Sequence, residues 1–196
     1  NTEGMSLSPP EKKMGWCGSD TRSVFFKDMH IPKSAVLGNP SKGFKQFLKT
    51  LTGGRITIGA LGLGTAQGAF ARALAYSQER EAFGKSINKF QGVSFKLSDM
   101  ATQIEAARHL VYHAAWKKDH GLPVIREAAM AKLFSSETAM QVTTEAIQVL
   151  GGYGYIKEYD VERFFRDAKI LEIGEGTSEV QRMIIAKELI QSVQNI

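Results

Sequence analysis

The sequence predicts a mainly α protein, an antiparallel four-helix bundle that follows a short β-strand segment. Three observations predict it. Strand and turn formers dominate up to about residue 40, and helical patterns follow for nearly the whole remaining length. Apolar residues then recur at spacings of three and four, which marks amphipathic helices. Short breaks join these helices, as in antiparallel bundles. We therefore divide the chain into an incomplete β segment, 1–40, and a helical domain, 41–196.

Short breaks set the predicted limits of the helices. A helix or pair of helices should run over about 42–81, with Ser41 as its first cap. Residues 87–91 form a joint, and residues 120–123 end the second long helix. A glycine stop at 151–155 ends the third helix, and a last helix begins near Ser178.

Each of the last three helices carries one predicted buried stripe. The second helix contributes Leu97, Met100, Ile104, Ala107, Val111 and Ala114. The third contributes Ala128, Ala131, Ser135, Ala139, Val142, Ala146 and Val149. The last contributes Val180, Met183, Ile184 and Ile190.

Glycine is unusually frequent in the first helix. Each interior glycine costs a helix about 0.5–1 kcal/mol relative to alanine, so these positions need a reason. Close helix packing is the favoured reason, and a flat ligand near the backbone is the other. No dinucleotide fingerprint is present, because the third glycine and the preceding strand are missing. The positions are Gly53, Gly54, Gly59, Gly62, Gly64 and Gly68.

Composition and charge exclude several classes of protein. The net charge is +5, and no run of Lys and Arg with interleaved aromatic residues predicts nucleic-acid binding. The longest uncharged run, between Arg55 and Arg72, is too short and too rich in glycine to span a bilayer, so we expect no integral membrane association. Cys17 is the single cysteine, which favours a reducing compartment.

A metal centre is not predicted. Glu105, His109 and His113 recur every four residues, but the glutamate that a zincin needs directly after its first histidine is absent. No Glu-x-x-His pair for a di-iron bundle occurs either. A polar helix face is the favoured interpretation.

Glu175 lies between Gly174 and Gly176, just before the last helix. Ser178 and Gln181 fit a capping box, which places the helix start at Ser178 and Glu175 outside it. The flanking glycines allow a sharp turn and a close approach by a ligand. Such a carboxylate is suited to act as a general base at a substrate carbon, although a plain loop glutamate fits the spacing equally well.

Several motifs occur in the order found in acyl-CoA dehydrogenases, and together the chain resembles the C-terminal half of that family. They are RxxFGKxIxxFQ (80–91), EAAMAKL (127–133), QVLGGYGY (148–155), EYxVERFFRDAKI (158–170) and EGTSEVQR (175–182). The stretch KMGWCGSDTRSVFFKDMHIP (13–32) also resembles the end of the family's middle β domain. The resemblance implies that 1–40 ends this β domain, that 41–196 is the C-terminal helical domain, and that the chain is part of a longer enzyme.

The resemblance implies an FAD enzyme that converts an acyl-CoA thioester to the trans-2-enoyl-CoA and passes electrons to electron-transferring flavoprotein. Glu175 would remove the α-proton while hydride leaves the β-carbon for flavin N5. Arg55 and Gly176 would bind substrate. The implied flavin contacts are Arg80, Gln91, Thr177, Ser178 and Glu179, with Gln148, Val149, Leu150, Gly151 and Gly152 reaching the flavin of a neighbouring subunit. A homo-oligomer, a dimer of dimers, is therefore expected.

Three positions depart from the family pattern. Thr52 replaces an acid, Gly174 a tyrosine and Asp160 a proline. Gly54 stands where isovaleryl-CoA dehydrogenases place their base, which favours Glu175 for that role. An acyl-CoA oxidase and a non-catalytic oligomerisation or binding module remain as alternatives. The expected compartment is a bacterial cytoplasm or a mitochondrial matrix.

Overall fold

The computed structural model describes residues 2–194, which are mainly helical, and confirms the predicted fold class. The four long helices are α1 (Gly43–Glu79), α2 (Gln91–Asp119), α3 (Ile125–Leu150) and α6 (Ser178–Gln194). Two short helices, α4 (Gly152–Tyr155) and α5 (Val161–Ala168), lie between α3 and α6. Short 3₁₀ turns occupy Lys33–Ala35, Pro40–Lys42, Ile87–Lys89, Lys157–Tyr159 and Lys169–Glu172.

Two small antiparallel strand pairs flank α1. Strand β1 (Met5–Leu7) pairs with β2 (Val24–Phe26), as the sequence predicted for the region before residue 40. Strand β3 (Glu81–Ala82) pairs with β4 (Lys85–Ser86) in a hairpin between α1 and α2 that the sequence analysis did not predict. Every residue of β1 and β2 is exposed, so this pair contributes nothing to the core.

Helix α3 is the centre of the bundle. It packs against α1, α2, α5 and α6, and it is buried on most of its circumference. All of the stripe residues predicted for α2 and α3 are buried, which confirms those two stripes. The apolar core therefore runs along α3, with α1 and α2 on either side.

The glycines of α1 allow close contact with its neighbours. A Cβ placed at Gly62 would lie 2.9 Å from the Ser135 carbonyl oxygen, and one at Gly59 would lie 3.3 Å from the Ala131 backbone. A Cβ at Gly68 would lie 2.7 Å from the Phe164 ring. The packing explanation is thus confirmed at these three positions, because a side chain there would separate the helices.

Two details of the helix prediction are wrong. Ser41 does not cap α1; it lies inside the 3₁₀ turn Pro40–Lys42, whose cap is Asn39, and Asn39 Oδ1 accepts from the Ser41 N–H at 2.9 Å. In α6, Val180, Met183 and Ile190 are exposed, with Met183 at 71%. The periodicity fails there because α6 lies at the edge of the bundle and packs mainly on α3.

Within residues 2–194, no helix combines the length and apolar character that crossing a membrane requires.

Candidate active site

Glu175 lies in a tight turn between the 3₁₀ turn Lys169–Glu172 and α6. Its φ is +56°, in the left-handed region that non-glycine residues rarely adopt, and Gly176 follows with φ +91°. A Cβ at Gly176 would lie 2.9 Å from Gln181 Nε2, so this position requires glycine. The backbone is therefore held in a disfavoured conformation at the residue predicted as the base.

The carboxylate of Glu175 points at a gap in the side chains of α1. Glu175 Oε2 is buried and has no hydrogen-bond partner among residues 2–194. A Cβ placed at Gly54 would lie 2.6 Å from this oxygen, so the carboxylate occupies space that any other residue at 54 would fill. A buried and unpaired carboxylate oxygen is costly, and it leaves a lone pair free to accept a proton.

Arg55 brings a positive charge to the same place. Its residue exposure is 8%, and its Nε is buried without a hydrogen-bond partner in the part of the chain that the structure describes. Burial lowers the pKa of Arg55, and the nearby charge of Glu175 opposes that change. The two side chains thus present one acceptor and one donor with unused hydrogen-bonding capacity, as a polar ligand requires.

Two residues that the sequence analysis did not assign to the site fix the turn. Lys132 Nζ, on α3, donates to the Gly176 carbonyl at 2.8 Å. Gln181 Nε2, on α6, donates to the same carbonyl at 2.8 Å and to the Glu175 carbonyl at 3.2 Å. Lys132 is fully buried. It lies four residues after Ala128, a member of the predicted α3 stripe, and this helical spacing could have indicated its burial.

The start of α6 differs from the predicted capping box. The helix begins at Ser178, as expected, but Thr177 caps it: Thr177 Oγ1 accepts from the Val180 N–H at 3.4 Å. Ser178 Oγ is buried without a partner among residues 2–194. The predicted capping box is therefore wrong, because the Gln181 side chain donates to the Glu175 and Gly176 carbonyls instead. Glu179 is exposed, and hydrogen bonds from its own backbone N–H and the Thr177 hydroxyl lower its pKa.

A second cluster of predicted residues lies at the C-terminal end of α3, around a cavity of about 540 Å³. Arg80 and the predicted loop 148–152 both line it. The remaining lining residues are Tyr76, Ile87, Tyr153 and Ile156. Gln91 is exposed at the start of α2 and is not among the lining residues.

Aromatic rings support Arg80 in this cavity. The Arg80 guanidinium lies over the Tyr153 ring at 5.9 Å from its centroid. Tyr153 in turn packs against Tyr76 and Tyr159, with centroid distances of 6.3 and 5.0 Å. Within residues 2–194, the Arg80 guanidinium contacts a ring and forms no ion pair with an acid, so its charge is available to an anion.

Gly151 ends α3 and opens the backbone to the cavity. Its φ is +60°, and its N–H donates to the Ile147 carbonyl at 2.9 Å. A Cβ at Gly151 or Gly152 would meet nothing within 4 Å. Gly151 therefore ends α3, as predicted, and the two glycines leave room for a ligand near the main chain.

The two clusters lie toward opposite ends of α3. Lys132 contacts the Glu175–Gly176 turn, whereas Gln148 lines the cavity beside Arg80. At 1.5 Å per residue, about 24 Å of helix axis separates these two positions. One chain therefore presents two spatially distinct groups of candidate ligand contacts.

A smaller cavity, of about 350 Å³, lies between the N-terminal segment and the 3₁₀ turn Lys169–Glu172. The N-terminal segment borders it and is tied to α5: the Trp16 N–H donates to Asp167 Oδ1 at 2.6 Å, and Arg166 Nη1 donates to the Met14 carbonyl at 2.9 Å. Ile170 and Ile173 form the opposite wall. The β segment is thus anchored to the C-terminal end of α5.

Metal ligands do not converge in the described structure. Glu105 and His109 approach to 3.8 Å on the exposed face of α2. Across residues 2–194, no group of three or more His, Cys, Asp or Glu side chains is placed to hold a metal ion.

Comparison with known proteins decides the family. A family model described as "Acyl-CoA dehydrogenase, C-terminal domain" matches residues 41–190. The chain belongs to the acyl-CoA dehydrogenase family. The resemblance of the sequence motifs to this family is thereby confirmed.

Relatives and solved structures agree with this membership. The probable acyl-CoA dehydrogenase YngJ of Bacillus subtilis is 53% identical over 97% of this chain and 50% of its own length. Butyryl-CoA dehydrogenase from Megasphaera elsdenii superposes with a TM-score of 0.95 at 51% identity, over 96% of this chain and 49% of that chain. A chain of the structure described as "Electron transferring flavoprotein of Acidaminococcus fermentans" has a TM-score of 0.94 at 50% identity, over 96% and 50%. The chain thus spans about half the length of the relatives it matches.

Departures from the acyl-CoA dehydrogenase pattern have local explanations at two positions. Asp160, where the family often has proline, has φ +59°, which a proline ring cannot adopt. Its carboxylate also lies 3.3 Å from Arg163 and 3.9 Å from Arg72. Thr52, in place of an acid, donates its hydroxyl to the Leu48 carbonyl at 3.3 Å within α1.

Proposed function

We propose that the intact protein is an FAD-dependent acyl-CoA dehydrogenase that converts an acyl-CoA thioester to the trans-2-enoyl-CoA, with Glu175 removing the α-proton. The observation that carries this proposal is Glu175 Oε2, which is buried, has no hydrogen-bond partner among residues 2–194 and lies in a left-handed turn against Gly54. Family membership supports the reaction class, and the geometry of the turn supports Glu175 as the group that accepts the proton.

The carboxylate suits proton abstraction beside a thioester carbonyl. The α-proton passes to a Glu175 oxygen, and the electron pair of that C–H bond forms the Cα=Cβ double bond. The FAD, when bound, supplies N5 as the acceptor of the hydride that leaves the β-carbon. Arg55 brings a positive charge close to the carboxylate and is proposed to bind substrate with Gly176, the residue that follows the base.

The residues around the larger cavity suit the flavin phosphates. Arg80 offers a guanidinium, whose geometry matches phosphate oxygens, and the glycines at 151 and 152 expose main-chain groups. At the other cluster, the buried and unpartnered hydroxyl of Ser178 and the N-terminus of α6 suit a polar edge of the cofactor. We propose Gln91, Thr177 and Glu179 as further flavin contacts.

The separation of the two clusters supports a homo-oligomer. About 24 Å of α3 lies between Lys132, at the base-bearing turn, and Gln148, at the larger cavity. We propose that residues 148–152 and Arg80 serve the flavin of a neighbouring subunit, and that Glu175 serves its own. Each active site then needs two copies of the chain, in a dimer of dimers.

The proposal extends to the remainder of the protein. Residues 1–40 are assigned to the end of a middle β domain, and 41–196 to the C-terminal helical domain. A short acyl chain is proposed as substrate because a 51%-identical relative is a butyryl-CoA dehydrogenase. Electron-transferring flavoprotein is proposed as the acceptor, and a bacterial cytoplasm or a mitochondrial matrix as the compartment.

An anaerobic titration of the intact protein with a series of acyl-CoAs tests the proposal. We expect loss of the oxidised-flavin absorbance, most readily with a four-carbon chain. Hydrogen peroxide at turnover rates in air would instead assign an acyl-CoA oxidase. An intact protein that binds no flavin would contradict the proposal and favour an oligomerisation or binding module.

A further inference from the structure

The buried ammonium of Lys132 has no task in the reaction described above. Its side chain is fully buried on α3, and its Nζ donates to the Gly176 carbonyl at 2.8 Å. An ammonium in the interior is costly unless it is paired and hydrogen-bonded. A methionine would fill similar space without that cost, so the charge needs a function at this position.

Burial lowers the pKa of Lys132, and carboxylates around it oppose that change. Glu172, Glu137 and Glu179 act on the ammonium through space, while Arg55 adds a repulsive charge. The direct contact is to a backbone carbonyl and not to any of these acids. The Lys132 ammonium is therefore hydrogen-bonded to the backbone of the Glu175–Gly176 turn.

That turn is held by donors from two different helices. The Gly176 carbonyl accepts from Lys132 on α3 and from Gln181 on α6, each at 2.8 Å. The residue before it, Glu175, has φ +56°, a conformation that persists only where the surroundings impose it. The orientation of the Gly176 peptide and the direction of the Glu175 side chain are linked, because the two residues are adjacent.

We propose that Lys132 is a positioning residue, which holds the Glu175–Gly176 turn left-handed and so directs the Glu175 carboxylate to the gap at Gly54. Lys132 touches neither substrate nor flavin in this role. The inference rests on the proposed function in one respect, that Glu175 is the base. Holding the turn is a separate property and can be measured without substrate.

Amide hydrogen exchange of the intact protein measures the turn directly. Lys132→Met should speed exchange of the amides at 174–178 by about tenfold, because local opening becomes easier. Lys117→Met is the matched control: Lys117 Nζ binds Glu127 at 2.9 Å, away from the turn, and its loss should leave exchange at 174–178 unchanged. This measurement requires no substrate turnover, so it stands even if Glu175 is not the base.

Kinetics then separates positioning from simple structural support. A displaced base should lower kcat by about 100-fold, while KM for the acyl-CoA changes less than about threefold. The kinetic isotope effect from α-deuterated substrate should increase, because proton removal becomes slower. Added to Glu175→Gln, the lysine substitution should cause little further loss, since both act on one step.

Three results would overturn the inference. One is a folded Lys132→Met protein with wild-type exchange at 174–178, and another is faster exchange with unchanged kcat. If Lys132→Met does not fold, Lys132→Gln tests the same contact, because the shorter neutral side chain loses both the charge and the reach to the Gly176 carbonyl, and unchanged exchange and kcat there would overturn the inference. High activity of Glu175→Gln contradicts the base assignment, and the exchange result then shows whether Lys132 still holds the turn.

Discussion

The carboxylate of Glu175 lies against the α-carbon of Gly54, so that a methyl group at residue 54 would lie 2.6 Å from Glu175 Oε2. The two residues are far apart in the sequence, and the fold brings the loop before α6 to the N-terminal third of α1. Gly54 therefore belongs to the candidate site, because the absence of a side chain there makes room for the Glu175 carboxylate. A glycine in α1 therefore determines where the carboxylate of the proposed base can lie.

Gly54→Ala should separate activity from stability. Alanine favours the helix by about 0.5–1 kcal/mol. Its methyl group, however, must displace the carboxylate, and a shift of about 1 Å lowers kcat/KM by about 10- to 100-fold. Steady-state kinetics and thermal unfolding of the same preparations measure both effects. Gly64→Ala is the control, since a Cβ there meets nothing within 4 Å and kcat/KM should not change.

Gly62→Ala should destabilise the bundle. The added Cβ would lie 2.9 Å from the Ser135 carbonyl oxygen, which belongs to the backbone of α3 and yields only if the helices separate. Overpacking of this kind costs about 1–3 kcal/mol, more than the helix gains. Denaturant unfolding should show the loss, and equal or higher stability of Gly62→Ala would contradict close packing of α1 on α3.

Glu127→Gln should lower stability at neutral pH and lose its effect in acid. Burial raises the pKa of Glu127, but hydrogen bonds from Lys117 and Arg126 outweigh it and bring the pKa from 4.5 to about 2. Because the folded pKa is the lower one, the stabilisation is present above pH 4.5 and disappears as the pH falls toward 2. The shift corresponds to about 3 kcal/mol.

Unfolding free energies of wild type and Glu127→Gln across pH 2–7 measure this dependence. Glu145→Gln is the matched control, because Glu145 pairs with Lys96 at a more exposed position and should contribute less than about 1 kcal/mol. A Glu127→Gln effect that is constant over the pH range would contradict the ion-pair explanation.

Tyr153→Leu should weaken flavin binding through Arg80. Loss of the ring under the guanidinium removes a cation–π contact of about 0.5–2 kcal/mol and releases Arg80 from its place in the cavity. The dissociation constant of FAD should rise by about 3- to 30-fold, measured by flavin fluorescence on the deflavinated protein. Tyr153→Phe keeps the ring and should bind FAD as the wild type does; equal weakening by both would assign the effect to the hydroxyl.

The sequence predicted the elements that depend on local pattern. The stripes of α2 and α3 are buried as expected, and Gly151 ends α3, because helical spacing and glycine stops are local properties. The α6 stripe is exposed, since burial depends on what covers a helix and not on its spacing. Ser41 lies in a 3₁₀ turn capped by Asn39, and Thr177 caps α6 in place of Ser178; both outcomes depend on backbone angles that composition does not contain.

The candidate site was predicted by motif, and its supporting contacts were not. Motif order singled out Glu175, Arg55 and the loop after α3, and the structure groups them into two clusters. Lys132 was overlooked because a lysine normally indicates a solvent-exposed position. Its bond to Gly176 joins residues that are distant in the chain, and only the fold brings them together.

The most direct test of the central claim is the rate of flavin reduction by butyryl-CoA in the intact Glu175→Gln protein, under anaerobic conditions. We expect this rate to fall by about 10³-fold or more with FAD still bound, because the amide cannot accept the α-proton. Glu105→Gln, on the exposed face of α2, should reduce its flavin at the wild-type rate. Rapid flavin reduction by Glu175→Gln would show that another group removes the proton and would contradict the assignment of the base.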